Sequence, residues 1–169
     1  MAYTKLHETI TTSDSSLVVI DNVFSDDFNT YDLLINQYGS SNDNKNLMLQ
    51  FIKDNGSAGT TNYKYANYYQ YSEGSYTQQQ NNSNSRLYFS YATSAEQASS
   101  QYQISGTRTA NNKFVFGKFS GTYKGTYTYH YNAMTSAMKV DSNKMRGFQL
   151  YCTNANVRSG LIVRVYGVS

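Results

Sequence analysis

The sequence predicts an all-β fold: an antiparallel, jelly-roll-like β-sandwich with at most one short helix. Three observations lead there. The chain holds 18 Tyr and 8 Phe but no Trp, and Tyr, Phe, Val and Thr suit half-buried pleated surfaces. Pro is absent, so Asn, Ser and Gly supply the turns. Short apolar-alternating segments recur between turn signals, at the spacing of a sandwich. Only 15% of residues are charged, and the wealth of aromatics opposes disorder. The 169 residues suit a single domain, 1–169, with a short N-terminal arm over about residues 1–15.

Each segment has its own reason. "SLVVIDNVF", Ser16 to Phe24, is the first expected strand. "TYDLLINQYG" follows, between the polar runs "SDD" and "GSSNDN". In "NLMLQFIKD", Leu47, Leu49 and Phe51 alternate with Met48, Gln50 and Ile52, so one face is fully buried and the other partly. Asn55–Gly56 marks a tight turn after it. "TNYKYANYYQYSEGSY" is a tyrosine-rich strand. Its Tyr63, Tyr65, Tyr69 and Tyr71 share a face and Tyr68 falls opposite, unless a bulge shifts the register. "QQQNNSNS", Gln78 to Ser85, reads as a polar loop, and "RLYFSYA" as the next strand. "TSAEQASSQ", Thr93 to Gln101, is the one helix candidate, with a Thr or Ser cap and Glu96 in its first turn. "NKFVFGKFSGTY" and "KGTYTYHYNA" are strands, in which Gly117, Gly121 and Gly125 signal bends or close approaches. "SAMKV", "MRGFQLYCT" and "GLIVRVYGV" complete the sheet. The last of these places Leu161, Val163 and Val165 on one face, which predicts a final strand that is central or covered.

The net charge is +3, with the densest group at Lys139, Lys144 and Arg146. No basic stripe interleaves with aromatics as a nucleic-acid groove requires, and no apolar run is long enough for a bilayer. Neither nucleic-acid binding nor membrane insertion is therefore expected. The N-terminus lacks signal-peptide features and Cys152 stands alone, which makes synthesis in a reducing cytosol the expectation. The chemistry of a hydrolase is poorly supplied. Among the two histidines, His130 reads as one more aromatic on a half-buried strand face, and Cys152 as a small buried hydrophobe. The glutamates Glu8, Glu73 and Glu96 fall in loops or ends, and the aspartates sit at strand ends, where turns place them. "DNVFSDD" and "DNGSAG" lack the ligand spacing of a calcium loop. The expectation is no catalytic residue, no metal and no cofactor.

The tyrosines carry more information. Tyr63, Tyr65, Tyr69 and Tyr71 form one group; Tyr123, Tyr127, Tyr129 and Tyr131 form another. Tyrosine offers a rigid contact surface with a polar tip. A domain of this size has too little interior for all of them, so they are candidates for subunit interface or glycan contact as well as core.

The chain's C-terminal "MRGFQLYCTNANVRSGLIVRVYGVS" resembles the ending of a large family of small tailed-phage virion proteins. Met145, Phe148, Leu150, Ser159, Gly160, Val163, Val165, Tyr166, Gly167 and Val168 carry the likeness. "IDNVFSDDFNTYDLLI" and "LMLQFIKDNGSAGTTNYKY" are similar to the family's opening, so the resemblance spans nearly the whole chain. Many relatives have a Trp before the penultimate strand, where this chain has Met134 or Met138. The resemblance implies a non-enzymatic jelly-roll module on the virion exterior. It leaves open whether such a module is capsid decoration, a head fibre or a tail-fibre part, and implies that it is often a homotrimer. A single module without a coiled-coil shaft, weakly charged and rich in Tyr and Asn, makes a capsid decoration or cement protein the expectation: a homo-oligomer, trimeric in particular, with other virion proteins such as the major capsid protein as partners. The alternative is a receptor- or glycan-binding module of a tail or head fibre.

Overall fold

The computed structural model describes residues 2–42, 45–72, 74–92, 98–124 and 128–169. Among them run twelve strands: β1 (Tyr3–Ile10), β2 (Val18–Ile20), β3 (Thr30–Tyr38), β4 (Lys45–Lys53), β5 (Tyr63–Tyr71), β6 (Tyr76–Asn84), β7 (Leu87–Ala92), β8 (Ala98–Ser105), β9 (Lys113–Lys124), β10 (Thr128–Lys139), β11 (Met145–Cys152) and β12 (Ile162–Val168). They form an eight-stranded sheet in the order β1-β12-β3-β8-β9-β10-β5-β6, and a four-stranded sheet in the order β2-β11-β4-β7. Every pairing is antiparallel. The expected all-β sandwich is the observed fold.

Its core lies between the sheets. Leu33 and Ile35 of β3, Tyr102 and Ile104 of β8, and Val163 and Val165 of β12 meet Leu49 and Phe51 of β4 and Phe148 and Leu150 of β11. The hydroxyls of two buried tyrosines tie backbone groups beyond the reach of a neighbouring strand on that side. The Tyr31 hydroxyl donates to the Ser25 carbonyl at 2.7 Å and accepts the Ser25 N–H at 2.9 Å, fixing the loop before β3. The Tyr63 hydroxyl accepts the Phe51 N–H at 2.8 Å, across the sandwich from β5 to β4. The β4–β7 ladder has ended by then, at Leu49.

The final strand is locked as its pattern predicts. β12 pairs with β1 on one side and β3 on the other, and Leu161, Val163 and Val165 are fully buried. The Asn55–Gly56 turn is also present: Gly56 takes φ +84° and the Asn55 side-chain oxygen accepts the Ser57 N–H at 3.0 Å.

Four expectations need correction. The N-terminal arm is an edge strand, since Tyr3–Ile10 pairs along β12. Its own sequence, with Lys5, His7 and Glu8, has no clear alternation, so the partner makes the strand. The polar "loop" Gln78–Ser85 is mostly β6, the other edge; an edge strand gains backbone bonds from one neighbour and tolerates polar side chains on both faces. Of the expected helix, residues 93–97 lie outside the described residues, while Ala98 onward is β8, buried at alternate positions. From Ala98 on, ladders to both β3 and β9 outweigh local helix preference. The strand expected over Ser16–Phe24 is cut to three residues, and Asn22 takes φ 54° just beyond it.

Candidate functional site

Two neighbouring strands bury and expose the opposite of what their composition suggests. In β9, Lys113 is fully buried while Phe114 and Phe116 are 51% and 55% exposed. Its ladder partner across the β9–β10 pair is Lys139, also buried, while Met134 of β10 is 53% exposed. The interior has room for no larger groups here. The Tyr102 ring lies directly over Gly117, where an added Cβ would sit 2.4 Å from it. Val115, Ala133, Thr135 and Ala137 fill the rest of that inner face.

The two lysines enter for their tips. Lys113 Nζ donates to the carbonyls of Thr109, Asn111 and Asp141 at 3.0, 2.6 and 2.7 Å, and burial pushes its pKa down. Lys139 Nζ pairs with the Asp141 carboxylate at 3.0 Å, donates to the Thr61 carbonyl and lies 4.9 Å from the centre of the Tyr63 ring. Together they pin the loops at one end of the sandwich. Burial alone would raise the Asp141 carboxyl's pKa. The Asn143 N–H and side-chain amide, with Lys139, outweigh that and hold it below the usual carboxylate range.

The side chains turned outward form one surface on the eight-stranded sheet. Met134 stands between Lys118 of β9 and Tyr68 of β5. Tyr68, 40% exposed, stacks on Tyr76 of β6 at 6.0 Å with 24° between the rings. A line of large apolar groups thus crosses β9, β10, β5 and β6. Sequence pattern flagged none of these as contacts. Phe114 and Phe116 alternate with a Val and a Gly, and only the packing decides which set faces in.

The sequence-flagged tyrosines fare differently. Tyr63, Tyr65 and Tyr69 do share a face with Tyr68 opposite, but that face is the core: they are 0%, 5% and 2% exposed. As exterior contacts they are ruled out, because reaching them means opening the sandwich. Tyr71 is half-buried against the same core. Tyr127 lies outside the described residues. Tyr123, Tyr129 and Tyr131 are placed by register alone, Tyr129 opposite Tyr123, and Tyr131 between Gly121 and Tyr71.

The cations of the densest charge group go to separate carboxylates: Lys139 to Asp141, Lys144 to Asp26 at 3.1 Å, and Arg146 to Asp21 at 2.6 Å. Arg108 bridges Asp26 and Asp54, so acids of "DNVFSDD" and "DNGSAG" serve ion pairs. Among the described residues no three His, Cys, Asp or Glu side chains gather as a metal site. Cys152 is buried, and burial pushes its thiol up to about 12, which suppresses the reactive thiolate.

These features define a class: an antiparallel β-sandwich module with an uncovered, partly apolar face on its larger sheet. Comparison with family models, with characterised proteins and with solved structures finds nothing that matches this chain.

Proposed function

We propose that this protein is a structural module on the exterior of a tailed-phage particle, a capsid decoration or cement protein that assembles with copies of itself and docks on the capsid. The sequence resemblance supplies the setting. The observation that carries the contact role is the inversion on β9 and β10, which buries lysines and exposes Phe114, Phe116 and Met134. About half of each side chain is still open, so covering it contributes roughly 0.8–1.5 kcal/mol, half the value of full burial, before the cost of association. The occupant is a second copy of the chain, which fits the homotrimer that the resemblance implies.

Sedimentation velocity and co-sedimentation with purified capsids test this. Wild type is expected to run as an oligomer and to pellet with capsids. Phe116→Asp should run as a monomer with its thermal transition retained, since the side chain faces outward. A monomeric wild type that leaves capsids bare would overturn the proposal.

A second reading, a receptor-binding module of a fibre, is favoured by a specific observation: the polar half of the same face forms a cleft. Quantitative mass spectrometry of virions separates the readings, with high copy number for decoration and low for a fibre.

A further inference from the structure

The apolar line gives way to a cleft of about 590 Å³ that crosses β3, β8, β9, β10 and β5. That volume falls within the range of small-molecule pockets, roughly 300–1,000 Å³. Register explains its shape. Ser99 of β8 stands opposite Ser120 of β9, and Ser120 opposite Asn132 of β10. Asn132 in turn faces Gln70 of β5. Adjacent strands lie about 4.8 Å apart, so a row of short side chains between longer ones leaves a trough. Asn36 of β3 also lines it. Tyr68 and Met134 line its flank, and the stack on Tyr76 holds the Tyr68 ring in place while leaving it partly open.

The lining is chemically mixed in a particular way. Hydroxyls and primary amides both donate and accept hydrogen bonds without charge, which suits the vicinal hydroxyls of a sugar. A partly exposed tyrosine ring suits the C–H face of a pyranose. Lys118 is exposed at the edge, between Gln101 and Met134. Among the described residues no carboxylate lines the cleft, and none pairs with Lys118. One lysine is too little to track a phosphodiester backbone. Leu34, Ala133 and Met134 add apolar surface beside the serines and amides, against which the C–H faces of sugar rings can lie.

We propose that this cleft binds an anionic oligosaccharide. Tyr68 is the stacking platform, the amides of Gln70 and Asn132 take the hydroxyls, and Lys118 takes the acid group. The inference rests on the receptor-module reading and names its site and ligand class.

Isothermal titration of the full chain tests it with three probes: hyaluronan tetrasaccharide, its carboxyl-reduced neutral form, and a phosphorylated mannobiose. Wild type should bind at least one acidic probe about 1.5- to 5-fold more tightly than the neutral form, the increment of one open ion pair. Lys118→Gln should erase that preference and leave neutral binding unchanged. Tyr68→Ala, and Ser120→Trp, which fills the trough, should abolish binding, with thermal transitions confirming that each variant folds. Val19→Ser, exposed on the other sheet, should bind as wild type does. Whichever acidic probe binds tells a carboxylate sugar from a phosphate sugar. Equal affinity for acidic and neutral probes overturns the proposal. Binding retained by both cleft variants overturns this site and leaves the receptor reading standing. A wild type that binds none of the probes overturns both.

Discussion

Changing Tyr63 to Phe removes one oxygen and keeps the ring, so it isolates a single polar interaction. Tyr63 and Phe51 are both fully buried. The Phe51 carbonyl accepts the Gly59 N–H at 2.7 Å, and among the described residues the Phe51 N–H has the Tyr63 hydroxyl as its acceptor, at 2.8 Å. The ring's near-parallel contact with Phe51, 6.3 Å between centroids, survives the change. What remains is a buried donor without an acceptor, which costs about 1–3 kcal/mol. For a domain of this size each kcal/mol lowers the melting temperature by roughly 2–4 °C, so a fall of about 2–12 °C is expected. Urea unfolding should show a lower midpoint with an unchanged slope. Tyr76→Phe, on an exposed edge, is the control and should stay within about 0.5 kcal/mol of wild type. An alkaline arm sharpens the test. Burial raises the Tyr63 pKa above its unfolded value. Its contribution is therefore complete below about pH 10 and is lost as the pH rises beyond it. Tyr63→Phe should flatten that part of the stability profile. A variant within 0.5 kcal/mol of wild type, with the same alkaline profile, would refute the assignment of the hydroxyl as the Phe51 acceptor.

Three further predictions concern the frame of the sandwich. Deleting Leu161 to Ser169 removes three fully buried aliphatic side chains, roughly 4.5–9 kcal/mol, and strips a partner from both β1 and β3. That rivals a whole domain's stability of about 5–15 kcal/mol, so calorimetry should find no cooperative transition; a soluble truncation melting like wild type would contradict it. Asp141→Asn leaves buried Lys139 without its counter-charge, a loss of about 3–5 kcal/mol. Because the folded pKa of Asp141 lies below its unfolded value, its contribution is present above about pH 4 and lost as the pH falls below. Acid titration of stability should therefore be steeper in wild type than in the variant, and parallel curves would count against the pair. Gly117→Ala places a Cβ 2.3 Å from the Gln101 carbonyl oxygen; overpacking of about 1–3 kcal/mol should appear as a lower urea midpoint, and an unchanged midpoint would mean the sheet yields there.

Much of this fold was legible because most strands announce themselves. Alternation in Tyr63–Tyr71 places the odd tyrosines on one face, and the last strand's Leu161, Val163 and Val165 require cover. The misreadings share a cause. β1 and β6 are edges whose backbone bonds come from β12 and β5, and an edge strand needs no pattern of its own. The later part of the expected helix, from Ala98 on, is β8, where two neighbours offer ladders that one short helix could not match. Local preference is small per residue, and a paired strand overrides it.

The exposed apolar face was not legible at all. Alternation says that Phe114 and Phe116 lie on one side and Lys113 and Val115 on the other, and hydrophobicity alone would bury the phenylalanines. The sequence by itself determined the sandwich, the Asn55–Gly56 turn, the locked C-terminal strand and the faces that residues share. Only the tertiary structure decided which of those faces points inward on β9 and β10. There Tyr102 occupies the space over Gly117, and loop carbonyls and Asp141 receive the two ammonium groups. Burying a satisfied lysine tip and exposing an aromatic is a choice made by packing across the sheet, between residues distant in sequence. No window along the chain contains it.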